Sequence, residues 1–460
     1  MRQFQLLVYY EYLHFRAAKG LVLLTGLLLA VGLYGIFYGT TEVARQRQHL
    51  AELPTLARHN VTELKAKFPG PADAGDVGYY RYTFAVHQPT PWASLALGQR
   101  DVNPYYLKLR LLGLQGQLYA SENVNPSKVL SGNFDLAFVL VYLFPLLIVA
   151  LSFNLLSGEK EQGILTLLLA QPVRPGLVVG AKLTFRLGLV LGLAGLLSAI
   201  GLAWARVPLD GRVGLWLALT GLYCLFWFGV ALLVTAWQRS SAFNAVALLS
   251  AWLLLLVLVP SLLQEYMSAA RPLPQGLELT MQQREEIHAG WDRPKAATMQ
   301  RFFAVYPQYR DTATIRERFV WRWYYAFQYL GDKSVAKLAA AYAHGLRERY
   351  DLAEHLDWLS PALATQTSLH ALAGTDLPAH LAFQQSATHY HDALRAFYYP
   401  FLFKKVPFTH ADYDRVPTHT FISPPDLGIA WGGCWQLLLS VVAVYAAGLV
   451  LLRSRPIVPR

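Results

Sequence analysis

Charge is what this chain has least of. Charged residues make up 15% of its 460 positions, against roughly 25% in soluble domains, while 54% are hydrophobic. That balance excludes an ordinary soluble domain. Cysteine is almost missing too: Cys224 and Cys434 both lie in apolar runs and read as small hydrophobes rather than a disulfide or a metal site. No internal repeat and no low-complexity tract occurs. A nucleotide-binding P-loop is absent. Gly176–Thr184 reads Gly-Leu-Val-Val-Gly-Ala-Lys-Leu-Thr, with the wrong glycine spacing and a misplaced lysine for G-x-x-x-x-G-K-[ST]. No G-x-S-x-G nucleophile elbow occurs either. The net charge of +11 would suggest nucleic acid in a soluble chain. No basic-aromatic stripe accompanies it, so the excess is assigned to the loops of a membrane protein.

What the chain does have is long apolar runs. A bilayer core of roughly 30 Å needs about 20 apolar residues of helix. Six stretches qualify: 20–39, 136–156 with Pro145 inside, 177–205, 213–236, 242–263 and 427–452. The reading is an all-α membrane protein with six transmembrane helices and two insertions on the far side. The run 20–39 is read as a retained anchor rather than a cleaved leader, since Tyr38-Gly39-Thr40-Thr41 makes a poor cleavage site.

Lys and Arg near the helix ends set the orientation. Arg16 and Lys19, then Lys160, Arg174, Lys182 and Arg186, then Arg239, then Arg453 and Arg455 fall on one side of six spans, which is therefore expected to be cytoplasmic. Segment 1–19 is expected to lie as an interfacial helix and 453–460 to form a tail on that side. Segments 40–135 and 264–426 are expected to face outward as two domains. The first is read as mixed α/β, opening with a helix over 42–67. The second reads as mostly helical, with periodic stretches at 278–291, 315–330, 335–356 and 377–399. Pro361 marks a helix start and Gly374 a break.

The loop 157–176 carries the functional signal. It holds Glu159, Glu161, Gly163, Leu165, Leu168, Pro172, Val173 and Arg174. A short amphipathic helix is expected from about 162 to 170, stopped before Pro172, with Glu159 and Glu161 favourable at its N-terminus and Leu165 and Leu168 on one side.

This segment resembles the coupling-helix region of ABC type-2 transporter permeases, the exporter-type membrane subunits. Glu161, Gly163, Leu165, Leu168, Pro172, Val173, Gly180 and Lys182 match the pattern. Ile164 and Thr166 depart from it, and Ala181 separates the glycine from the lysine. Asn125-Pro126, Gly132 and Asp135, with Ser360-Pro361, Gln366 and Ala373-Gly374-Thr375-Asp376, resemble a bacterial subgroup with a large uncharacterised outward domain between its last two spans. The resemblance implies a permease in the bacterial inner membrane, a dimer of separate ABC ATPase subunits holding ATP and magnesium, a second permease protomer, and room for a periplasmic partner. It implies no cofactor, no metal and no catalytic residue in this chain. Polar groups within the apolar runs, Tyr142, Asn154 and Asn244, are candidate pathway residues; helix–helix hydrogen bonding is the competing role for each.

Two other readings stay open. A membrane-anchored enzyme would use His370, His380, His389 and His391 with Asp376 and Asp392. However, His389-x-His391 places its rings on opposed faces of a helix, unlike the His-x-x-x-His spacing of zinc sites. A scaffold or sensor would use the outward domains to hold a partner.

Overall fold

The computed structural model describes residues 2–119, 134–164, 175–310 and 315–454. The chain opens with α1 (Arg2–Ala17) and α2 (Lys19–Lys67), followed by α3 (Ala74–Tyr80), strands β1 (Thr83–Gln88) and β2 (Tyr106–Leu109), and α4 (Leu114–Tyr119). Helix α5 is built from Leu136–Phe138, a π-turn at Val139–Leu143, and Phe144–Ser152. Next come α6 (Ser157–Glu161), α7 (Pro175–Trp204) and α8 (Gly211–Thr235). Helix α9 joins Ser241–Leu253, a second π-turn at Leu254–Leu258, and Val259–Ala270. The rest is α10 (Gln275–Asp292), α11 (Lys295–Val305), α12 (Trp321–Leu356), α13 (Pro361–Ala373), α14 (Leu377–Phe403), β3 (Phe421–Ile422) and α15 (Leu427–Ser454).

Among the described residues, six helices are long and apolar enough to cross a membrane: α2, α5 with its extension to Glu161, α7, α8, α9 and α15. The chain is a helical membrane protein. The apolar run 20–39 and the helix expected over 42–67 turn out to be one element. Nothing caps a new helix at the junction, because the Thr40 hydroxyl donates back to the Ile36 carbonyl at 2.7 Å. At 1.5 Å per residue, α2 is about 74 Å long, well over twice a bilayer core of about 30 Å. Its second half is therefore a stalk, ending at Lys67 just before Pro69-Gly70.

The segments expected as two outward domains share a single core. Strand β1 pairs antiparallel with β2, Thr83 opposite Leu109, and parallel with β3, His87 opposite Phe421. Leu64, Val77, Ala85 and Leu107 from the first segment pack with Phe302, Tyr325, Phe383, Tyr398 and Phe408 from the second. The Phe302 and Phe403 rings stack with centroids 4.5 Å apart. The helices expected at 315–330 and 335–356 are replaced by α12, which starts at Trp321 and runs through the Gly331-Asp332 position without a break. Asp332 turns inward instead, accepting from Leu114 N at 2.6 Å and Gln115 N at 3.1 Å, and so caps α4. Helix α11 escaped the periodicity reading, although Pro294 precedes it and Met299 and Phe302 share its buried face.

Helix α13 follows its sequence signals closely. The Ser360 hydroxyl accepts from Leu363 N at 3.2 Å, Pro361 occupies the first turn, and Gly374 closes the helix at φ 67°, the left-handed conformation that favours glycine. Its location was not legible. Ala362, Leu369, Leu372 and Ala373 belong to the same core as Val139, Tyr223, Trp227 and Leu437 of the apolar helices. A Cβ on Gly433 of α15 would lie 2.0 Å from Ser368 Oγ, so this glycine allows α13 to seat directly against α15.

Candidate functional site

The described part of the 157–176 loop sits where four helices meet. Helix α1 packs along the start of α7, with the Phe15 and Phe185 rings 5.9 Å apart. Ala18, at φ −80° and ψ 77°, separates α1 from α2 as two helices. This packing turns Glu11 inward, where its carboxylate meets Arg186 at 3.3 Å and Lys182 at 3.8 Å. Lys182 also pairs with Glu159 of α6 and donates to the Leu155 carbonyl at 3.0 Å. Arg186 donates to the Leu151 carbonyl and to Asn154 Oδ1, the latter at 3.4 Å. Lys182 and Glu11 are buried. An isolated charge in such a place would be expensive; matching each cation with a carboxylate and a backbone carbonyl is what makes the cluster tolerable.

Glu161 reaches the other way. Its carboxylate accepts from Ser241 N at 2.6 Å, satisfying a free N–H at the start of α9. Ser157 and Ser241 hydroxyls lie 2.7 Å apart, and Asn244 donates to the Phe153 carbonyl at 3.1 Å. The body of the helix expected from about 162 to 170 lies outside the described residues, while Glu159 and Glu161, expected at its N-terminus, make the bonds just described. Both acids belong to α6, which ends at Glu161, and Gly163 at φ 71° turns the chain before any further helix. Leu165, Leu168, Pro172, Val173 and Arg174 lie outside the described residues.

Beside this cluster opens a cleft of about 450 Å³, walled by α1, the α5–α6 segment and α7. Asn154, Glu159, Lys182, Arg186 and Glu11 all line it. Sequence reasoning picked out Glu159 and Asn154, but not their partners Lys182 and Arg186, nor Glu11, which meets both cations. A signal was present: Lys182 and Arg186 stand four residues apart in an apolar run, hence on one helix face, and ionisable residues within membrane segments mark function by default.

The candidate pathway residues do not come together. Asn154 lines the cleft, and Asn244 is buried between α9 and the end of α5. Tyr142 lies at the far end of α5, within its π-turn, where its hydroxyl donates to Gln366 of α13 at 3.1 Å. π-Turns leave carbonyls without their usual helical donors. Here Tyr223 donates to Val141 O at 2.8 Å, Trp252 to Tyr142 O at 3.1 Å, and Ser360 to Leu255 O at 2.7 Å. The π-turn of α5 is thus tied to α8, α9 and α13, and that of α9 to α13.

The histidines are spoken for separately. His391 donates through Nε2 to the Arg110 carbonyl at 2.9 Å, and burial holds its pKa down to about 3. His380 is buried, held down to about 4 by burial and by Arg100, whereas His389 is exposed. Asp376 caps α14 at Ala379 N, and Asp392 pairs with Arg395 at 3.3 Å. His419 lies 2.8 Å from Ser386 Oγ, yet its Nδ1 accepts from Val86 N, so its Nε2 carries the proton and cannot serve as a base for that serine. Among the described residues, no group of three or more His, Cys, Asp or Glu side chains is placed to hold a metal ion.

A domain of unknown function (DUF3526) matches residues 277–422, from α10 to β3, about a third of the chain. No curated protein matches the chain.

Proposed function

We propose that this chain is the permease subunit of an ABC transporter of the export type. It would be a protein of the bacterial inner membrane whose six apolar helices all cross the bilayer, with both termini, α1 and the 157–176 loop in the cytoplasm. The observation that carries this reading is the reach of α6. Glu159 is bound to Lys182 near the start of α7, and Glu161 is bound to Ser241 at the start of α9. A force on the loop is thereby delivered to two membrane helices at once, while Glu11 ties α1 to the same point. That is what a lever needs if an ATPase dimer, closing on ATP and magnesium and opening after hydrolysis, is to move the spans. Two such protomers would enclose the pathway, and the shared outward domain would meet cargo or a periplasmic partner on the far side.

The test is co-expression with candidate ABC ATPases. The permease should co-purify with one of them, and replacing Leu165 and Leu168 together by Asp should abolish the complex while the membrane protein still purifies as a single species. A complex recovered from that double variant at the wild-type yield would sink the docking surface.

A further inference from the structure

A small cavity lies where the stalk of α2 meets the domain beyond the apolar helices. It is bounded by the short turn Gly98–Asp101, by the end of β1 and by the junction of α13 with α14. The turn is pressed against that junction: Gln99 N donates to the Thr375 carbonyl at 2.7 Å, and a Cβ on Gly98, at φ 52°, would lie 2.5 Å from the same oxygen. Arg100 is thereby carried inward and is only 5% exposed. Its Nε and Nη2 donate to Gln46 Oε1 of α2 at 3.3 and 3.2 Å, and Nη2 also donates to the His87 carbonyl at 2.9 Å. All of these acceptors are neutral. Burial, opposed by the Tyr105 phenol and reinforced by Arg47, lowers the Arg100 pKa to about 10, so the guanidinium keeps its charge at neutral pH. No carboxylate pairs with it among the described residues. A buried charge without a counter-charge is expensive.

His380, near the start of α14 and 9% exposed, lines the same cavity. Arg100 Nη1 and both ring nitrogens of His380 have no partner among the described residues, and none of them is sealed off by protein. Asp376 is also in the wall, but its carboxylate is taken up by Ala379 N at 3.0 Å and the Tyr350 hydroxyl at 3.2 Å. The space is about 10 Å³, enough for one water-sized particle.

We infer that this cavity binds a single halide ion, held by Arg100 Nη1 and by an N–H of His380. Charge selects an anion over water, which would meet the hydrogen bonds but leave the guanidinium uncompensated. Size selects a monoatomic anion, only slightly larger than water, over a carboxylate, phosphate or sulfate. A metal cation is opposed by Arg100 itself. Neutral His380 suffices as a donor, because either tautomer of imidazole carries one N–H. Arg100 is already fixed to α2 through Gln46 and to β1 through His87, while His380 belongs to α14. A halide between them cross-links the stalk to the domain that it carries.

The experiment is thermal unfolding of the full chain in detergent at pH 7.5, with sodium gluconate replaced stepwise by sodium chloride or bromide at constant ionic strength. Gluconate is too large for the cavity. The unfolding midpoint should rise by about 2 °C in either halide and level off once the site is filled. His380→Phe should lose that rise, and His389→Gln, on the exposed face of the same helix, should keep it. No rise in the unmodified protein overturns the proposal, since water then fills the cavity. A rise that climbs without levelling off overturns it too, because the salt then acts on the whole surface. A saturating rise that survives in His380→Phe overturns the assignment to this cavity. If His380→Phe does not purify, anomalous scattering from bromide-soaked crystals of the unmodified protein decides: a peak between Arg100 and His380 upholds the site, and its absence overturns it. None of these measurements needs an ATPase, so their outcome is independent of the transport reading.

Discussion

Lys182 and Arg186 lie one helical turn apart on α7, the first buried and the second half-buried, and both are answered by carboxylates from other helices. The energetic weight of such a cluster lies in its breakage. Two well-paired buried charges contribute little net stability, but removing one partner strands the other, at about 3–5 kcal/mol. Lys182→Ala leaves Glu159 without a cation and Glu11 with Arg186 alone. It is expected to lower the thermal unfolding midpoint in detergent sharply. Lys182→Met combined with Glu159→Leu removes both charges and should recover most of the loss. A double variant no more stable than Lys182→Ala would mean that the cluster acts through packing rather than charge.

Helix α13 shows how a short element can be specified locally and placed by something else. Its Ser360 makes two bonds of different kinds: the hydroxyl accepts from Leu363 N as an N-cap and donates to Leu255 O in the π-turn of α9. Ser360→Ala loses both, and the expected loss is about 1–3 kcal/mol. Hydrogen exchange reads the consequence directly. Amides of 361–373 and of 254–258 should exchange faster together in the variant, because one hydroxyl holds both elements. Faster exchange in 361–373 alone would reduce Ser360 to a helix cap with no role in tying α13 to α9.

On the scale of the whole molecule, the domain beyond the apolar helices is held by side chains that must stay neutral. Burial lowers the pKa of His391 to about 3, of His380 to about 4 and of His87 to about 2, against 6.5 for an exposed imidazole. A depressed histidine stabilises the folded state fully above pH 6.5, and that stability is lost as pH falls, since the unfolded chain takes up the proton first. At pH 5 each such histidine withdraws about 2 kcal/mol. Asp357, raised to about 6 by burial, pulls the other way over the same range. A single substitution isolates the effect. In His391→Gln, the fall in stability between pH 7.5 and pH 5 should be about 2 kcal/mol smaller than in the wild type. An unchanged pH slope would show that His391 is already charged in the folded state.

The amino-acid sequence alone determined the elements whose causes are local. Apolar runs of bilayer length became helices, Pro361 and Gly374 bounded α13, and Pro69-Gly70 followed the end of α2. Where the tertiary structure decided, the cause was a partner far away in the chain. Asp332 fell between the helices expected at 315–330 and 335–356, and the N–H it accepts from belongs to Leu114, more than two hundred positions earlier. Segments 40–135 and 264–426 read as two domains because strand pairing between His87 and Phe421 has no signature in either stretch. In the loop, Glu159 and Glu161 were visible as acidic residues before a glycine, but their partners at Lys182 and Ser241 were not. Hydrophobic periodicity reports which face of a helix is buried; it carries no information about which other helix covers that face. The charge pairs of this protein were settled only once the helices had chosen their neighbours.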